Sequence, residues 1–125
     1  EVNLPLDVER DKYDDILEEY FTTHPDTYNC ITFNSKAHIV GDFLLRTNRR
    51  NVQIMGYDMV EKNANCLKLG SISFLIAQHG YMQGYSCIET LFEAIVLKKK
   101  VNPVNYVPIE LLTRENVEFY RRTQL

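Results

Sequence analysis

Residues 51–92 read NVQIMGYDMVEKNANCLKLGSISFLIAQHGYMQGYSCIETLF, and the order of patterns in this stretch decides the fold class. Val52–Tyr57 is a short run of β-formers. Asp58 follows it, placed to cap a helix that ends at Gly70, a glycine suited to the left-handed residue closing a helix. Ile72–Ala77 is nearly continuous in apolar side chains, as expected of a parallel strand covered on both faces. The longest helix is then expected from about Tyr81 to Lys98, with Tyr85, Ile88, Phe92 and Ile95 on one face. Strands alternating with helices imply right-handed βαβ units. The fold class is α/β, a parallel sheet flanked by helices.

Working outward, the same alternation continues. Upstream, Val2–Leu6 reads as extended, and Tyr13, Ile16, Leu17, Tyr20 and Phe21 recur at helical spacing as one apolar stripe. Asp14, Asp15, Glu18 and Glu19 lie on or beside the solvent face of that helix and read as solubility charges. His24-Pro25-Asp26 breaks the helix, and Tyr28–Phe33 is a second β-rich run. Ser35 is placed to cap a helix through Ala37, Val40, Gly41 and Leu44; Arg46, Arg49 and Arg50 near its end suit the negative pole of the helix dipole. Downstream, Lys98, Lys99 and Lys100 read as a solvated helix end. Pro103 and Pro108 confine Asn105–Leu112 to an edge or crossover strand. Thr113 is placed to cap a last short helix with Glu115 in its first turn.

A length of 125 residues suits one domain or part of a larger one. A net charge of −3 with an isoelectric point near 5.6 provides no basic footprint for nucleic acid. No apolar run approaches the roughly 20 residues that span a bilayer, and the first residues lack the layout of a secretion signal. Cys30, Cys66 and Cys87 are odd in number and form no CxxC pair, which argues against a disulfide framework and for a reducing compartment. They read as small apolar fillers. His24, His38 and His79 lack ligand spacing, so no metal site is expected. No nucleophile elbow or nucleophile–base pair appears, so neither catalysis nor a cofactor is expected.

In open parallel sheets, ligands bind beyond the carboxyl ends of the strands. That rule selects Asn34 after the run ending at Phe33, Asp58 after Tyr57 and Gln78 after Ala77. Together they offer one anionic acceptor and two amides that both donate and accept. The set suits a ligand dense in hydroxyl groups. It suits phosphate poorly, because Asp58 repels it and no glycine-rich cradle is present. Each residue has a plainer reading as well: Asp58 as a helix cap, Asn34 as a turn starter, Gln78 as a partner for backbone groups where the chain crosses.

The strings themselves carry a resemblance. NVQIMGYD resembles the strand and aspartate of LacI-type and periplasmic sugar-binding domains. LGSISFLIAQHGYMQGYSCIETLF resembles their next strand, turn and long helix. VNYVPIELLTREN resembles their closing crossover and terminal helix, and ITFNSKAHIVGDFLL the strand and helix that carry an asparagine at the sugar site. The resemblance spans roughly residues 10 to 120. It implies one lobe of a type I periplasmic-binding-protein-like fold, mainly the C-terminal lobe of a LacI-type effector domain, with Asn34, Asp58 and Gln78 at the sugar site or the hinge beside it. Ser35 and the pair His79-Gly80 depart from the pattern, which often has aspartate and proline there. It further implies that residues 1–78 and 104–112 belong to the second lobe. Residues 79–100 and the C-terminal helix would pack on a first lobe outside this chain. The implied function is sensing of a small-molecule effector, a sugar, by a cytoplasmic homodimer that reaches DNA through a helix-turn-helix upstream. The alternatives are an extracytoplasmic sugar receptor of a transport system and, more remotely, a phospho-receiver domain, which needs clustered carboxylates that these strand ends lack.

Overall fold

The computed structural model describes residues 1–5 and 10–123. Five helices and four strands alternate: α1 (Arg10–Thr23), β1 (Asn29–Ile31), α2 (Ala37–Arg46), β2 (Gln53–Tyr57), α3 (Glu61–Leu69), β3 (Phe74–Ala77), α4 (Gly80–Ile95), β4 (Glu110–Leu112) and α5 (Val117–Thr123). The strands form a single sheet in the order β1-β2-β3-β4. β1, β2 and β3 run parallel, with Ile31 opposite Met55 and Tyr57 opposite Ile76. The alternation of elements read from the sequence is therefore present, and so is the α/β class.

The fourth strand corrects the expectation of a wholly parallel sheet. β4 pairs antiparallel to β3, with Ala77 opposite Glu110 and Leu75 opposite Leu112. The reason lies in α4, which buries none of its residues. A helix that packed back on the sheet would return the chain to the starting edge and yield another parallel strand. Here α4 leads away, and the chain re-enters beside the carboxyl end of β3, so its next strand must run in reverse. Only Glu110–Leu112 of the extended segment pairs; it is the edge strand that its prolines suggested.

The core follows period 2 in the strands and period 3.6 in the helices. Ile54 and Gly56 of β2, and Leu75 and Ala77 of β3, are buried, while Met55, Tyr57, Phe74 and Ile76 are only half-buried. One face of the sheet is thus fully covered and the other partly open, so β3 is not a strand covered on both faces. α2 contributes Ala37, Val40, Phe43 and Leu44 to the core, and α1 contributes Leu17 and Phe21. Removing each large apolar side chain from water stabilises the fold by about 1.5–3 kcal/mol. The acidic face of α1 does more than solvate: Asp14 binds Arg46, and Glu18 binds Arg49 at 2.6 Å, tying α1 to the end of α2. α5 buries Val117 and Tyr120 in the same core. It therefore packs on this core through one face, while Phe119 stays exposed.

Two glycines are set by geometry. Gly70 closes α3 at φ +82° in the left-handed conformation expected of it. At Gly56 a Cβ would stand 2.6 Å from the Ala37 Cβ and 2.9 Å from Leu75 Cδ2, so only glycine lets the start of α2 approach the sheet this closely.

The expected side-chain caps fall elsewhere. α2 starts after Lys36 without a cap from Ser35, and α3 starts after Val60 without one from Asp58. Before α5, the Thr113 carbonyl accepts the N–H groups of Asn116 and Val117, while Asn116 Oδ1 accepts the Thr113 N–H at 2.7 Å. That turn holds Glu115 outside the helix, whose first turn contains Glu118 instead.

Candidate functional site at the carboxyl edge of the sheet

Because β1, β2 and β3 are parallel, their carboxyl ends lie on one border of the sheet. Asp58 immediately follows β2 and Gln78 immediately follows β3. Asn34 comes three residues after β1, which ends at Ile31 and not at Phe33. The shortening follows from position. β1 is an edge strand paired only with β2, and Thr32 makes its last ladder bond, donating to the Met55 carbonyl at 3.0 Å. Beyond it the chain turns. Asn34 Oδ1 accepts the Lys36 N–H at 2.9 Å, so this side chain does build the turn, leaving its amide N–H groups for other partners.

Asp58 holds an unusual backbone. Its φ is +67°, and its N–H still donates to the Ile76 carbonyl at 2.9 Å, one step beyond the strand. A left-handed residue other than glycine costs about 1–2 kcal/mol, and such residues concentrate where function over-determines the backbone. His79, just past Gln78, is the second case at this border, with φ +49°. Asp58 and Gln78 are half-buried and exposed respectively.

Asn63 ties the border together. It is fully buried. Its Nδ2 donates at 3.0 Å to the carbonyls of Ser35, Tyr57 and Asp58, and its Oδ1 accepts the His38 N–H at 2.8 Å. One amide thus joins the turn after β1, the end of β2 and the first turn of α2, where it supplies the cap that Ser35 does not. The sequence held a faint signal: Asn63 lies on the stripe of α3 that also buries Ala64, Cys66 and Leu67. A polar residue in an apolar stripe has a partner to find.

A second group lies at the β3–β4 end of the border, and sequence reasoning singled out none of its three members, His79, Glu110 and Tyr120, as site residues. His79 Nε2 meets Glu110 Oε2 at 3.0 Å. The His79 ring packs on that of Tyr120, their centroids 4.9 Å apart. Burial pushes the Tyr120 phenol above its ordinary range; a hydrogen bond from the His79 backbone opposes this, and the Glu110 and Asp58 carboxylates add to the rise. Residues 79, 110 and 120 thus converge from the turn between β3 and α4, from β4 and from α5. No sequence spacing announces such a convergence.

The border offers a carboxylate and two amides around a backbone fixed from beneath, a set that suits hydroxyl groups. Among the described residues, no group of three or more histidine, cysteine, aspartate or glutamate side chains is arranged to hold a metal ion. Among them, too, no helix is long and apolar enough to cross a membrane. Cys66 is buried, and burial together with its hydrogen bond to Asp42 pushes its thiol up to about 11.

No protein-family model and no curated protein matches the chain. Solved structures do. A Bacteroides fragilis protein described as a LacI transcriptional regulator shares 43% identity at a TM-score of 0.81, over 86% of this chain and 37% of its own. A glucose-galactose binding protein from Geobacillus stearothermophilus shares 22% identity at a TM-score of 0.73, over 87% of this chain and 39% of its own. A carbohydrate transporter solute binding protein from Agrobacterium radiobacter, solved with D-arabinose, shares 23% identity at a TM-score of 0.72, over 90% and 39%. The chain therefore spans under two-fifths of the length of each of these. A mixed, mostly parallel sheet flanked by helices is what these likenesses share with the chain, which has the type I periplasmic-binding-protein-like fold and is similar to a LacI-type regulator.

Proposed function

We propose that this chain is the C-terminal lobe portion of the effector domain of a LacI-type transcriptional regulator, and that its effector is a sugar. The observation that carries the reading is the 43% identity to the Bacteroides fragilis regulator, joined to a strand-end border furnished with Asn34, Asp58 and Gln78. In this reading the Asp58 carboxylate accepts hydrogen bonds from sugar hydroxyls. The amides of Gln78 and Asn34 donate to and accept from neighbouring hydroxyls. The opposing half of the cleft comes from a first lobe outside the chain, and the sugar favours the closed form by contacting both lobes at once. DNA contact comes from a helix-turn-helix elsewhere in the protein, which this acidic lobe does not supply.

Three free cysteines support a cytoplasmic setting over an extracytoplasmic one. The apolar face of α4, with Tyr85, Ile88, Phe92 and Ile95 all more than half exposed, supports burial against the first lobe or a second copy. The reading describes a binding module without catalysis.

The test is a thermal-shift screen of the longer parent protein against aldoses, including D-arabinose, D-galactose and D-ribose. A stabilising sugar is expected, with at least tenfold weaker affinity for the Asp58→Asn and Gln78→Ala variants. If no sugar of the panel shifts either the melting temperature or operator affinity, the reading fails. A sugar that binds while operator affinity stays constant turns it into that of a transport receptor, the function named for several of the solved relatives.

A further inference from the structure

The polypeptide passes the carboxyl border of β3 twice. It leaves at Gln78–Gly80 into α4 and returns at Glu110 into β4. α4 buries no residue on the lobe, so nothing in α4 itself fixes the two passages to each other. The β3–β4 ladder joins them as far as Ala77 and Glu110, and three side chains tie them beyond it. The His79 imidazole, on the outgoing passage, meets the Glu110 carboxylate, on the returning one, at 3.0 Å. The Tyr120 ring, from α5, packs against the same imidazole at 4.9 Å between centroids and is itself buried in the core.

We infer that His79, Glu110 and Tyr120 form a clasp that locks the outgoing and returning passages to the core and thereby positions the peptide bearing Gln78. The left-handed φ of +49° at His79 fits this role. A histidine keeps that conformation only where its surroundings over-determine it, and here the ring is held on two sides. If position 79 needed only a left-handed backbone, glycine would serve without a penalty; the imidazole is what reaches Glu110 and Tyr120. The consequence is mechanical. With the passages tied beyond the end of the ladder, anything attached to α4 moves about a pivot anchored by α5. None of this depends on what the border binds.

The experiment is amide hydrogen exchange on the 125-residue chain, read at Leu75–Ala77 and Glu110–Leu112, with Ile54–Tyr57 of β2 as the internal control. His79→Gly relieves the backbone while removing the ring, and Glu110→Gln keeps shape while removing charge. Each is expected to speed exchange at β4 at least fivefold and to leave β2 within twofold of the parent. The double variant is expected to be no faster than the quicker single one, because both break the same link. Exchange at β4 within twofold of the parent in His79→Gly overturns the clasp and leaves only a backbone preference. Effects that multiply in the double variant, or equal acceleration of β2, overturn it as well.

Discussion

Asn63 Oδ1 accepts the His38 backbone N–H at 2.8 Å, so a residue of α3 caps the first turn of α2 across 25 positions of sequence. The same amide group donates to the carbonyls of Ser35, Tyr57 and Asp58, and no water reaches it. Buried polar groups left without partners cost about 1–3 kcal/mol each. Asn63→Ala strands several at once and is expected to destabilise the chain by about 3 kcal/mol, measured by urea unfolding. A loss below about 1 kcal/mol would mean that the border is held by something else.

At Gly56 the constraint is steric. Gly56→Ala sets a methyl 2.6 Å from the Ala37 Cβ, and overpacking of this kind costs about 1–3 kcal/mol. Ala37→Gly in the same chain removes the partner atom and is expected to recover part of that loss, although Leu75 Cδ2 still crowds the site at 2.9 Å. The double-variant cycle checks the pairing: additive losses would show that the two residues do not meet.

Cys66 ties stability to alkaline pH. Its thiol titrates near 11 in the folded chain, against an ordinary value of 9.0. Between those values the unfolded chain loses the proton while the folded chain keeps it. The stabilisation is therefore complete below pH 9 and is lost as pH rises towards 11, at no more than about 1.4 kcal/mol per pH unit. Urea midpoints at pH 8, 9 and 10 are expected to fall in that order, and Cys66→Ala to fall less steeply. In the native chain a thiol reagent is expected to label exposed Cys87 before buried Cys66, as followed by mass spectrometry.

The face of α4 predicts association. Ile88 is 71% exposed and Ile95 60%, with Phe92 between them and Tyr85 a turn before Ile88. Contiguous apolar surface of this kind is rare on monomers. Light scattering of the 125-residue chain is expected to show a mass that rises with concentration in the micromolar range, and Ile88→Glu with Phe92→Lys to restore the monomer. A concentration-independent monomer in the unsubstituted chain would oppose both the association and the burial of this face proposed for the longer protein.

Much of the architecture was legible because it rests on local periodicity. The stripe Tyr13, Leu17 and Phe21 buries as its spacing requires, and Gly70 takes the left-handed turn that ends α3. The placement of Asp58 and Gln78 at adjacent strand ends was legible too, since it needs only the order of elements and their parallel direction. The caps were not. Ser35 and Asp58 are good cap residues by type, yet neither caps its helix, and donors at the start of α2 are satisfied by Asn34 and by Asn63, whose position depends on how elements meet.

Sequence alone determined which segments are strands and helices, which faces are apolar, and which polar residues stand at strand ends. Those properties are set by side-chain pattern along a chain, at spacings of two to four residues. Tertiary structure decided the direction of β4, the burial of Asn63 beneath the border, and the meeting of His79, Glu110 and Tyr120. Each of these turns on α4 leading away from the sheet or on packing between residues at least 25 positions apart, and a hydrogen bond across such a distance leaves no periodic trace in the string that encodes it.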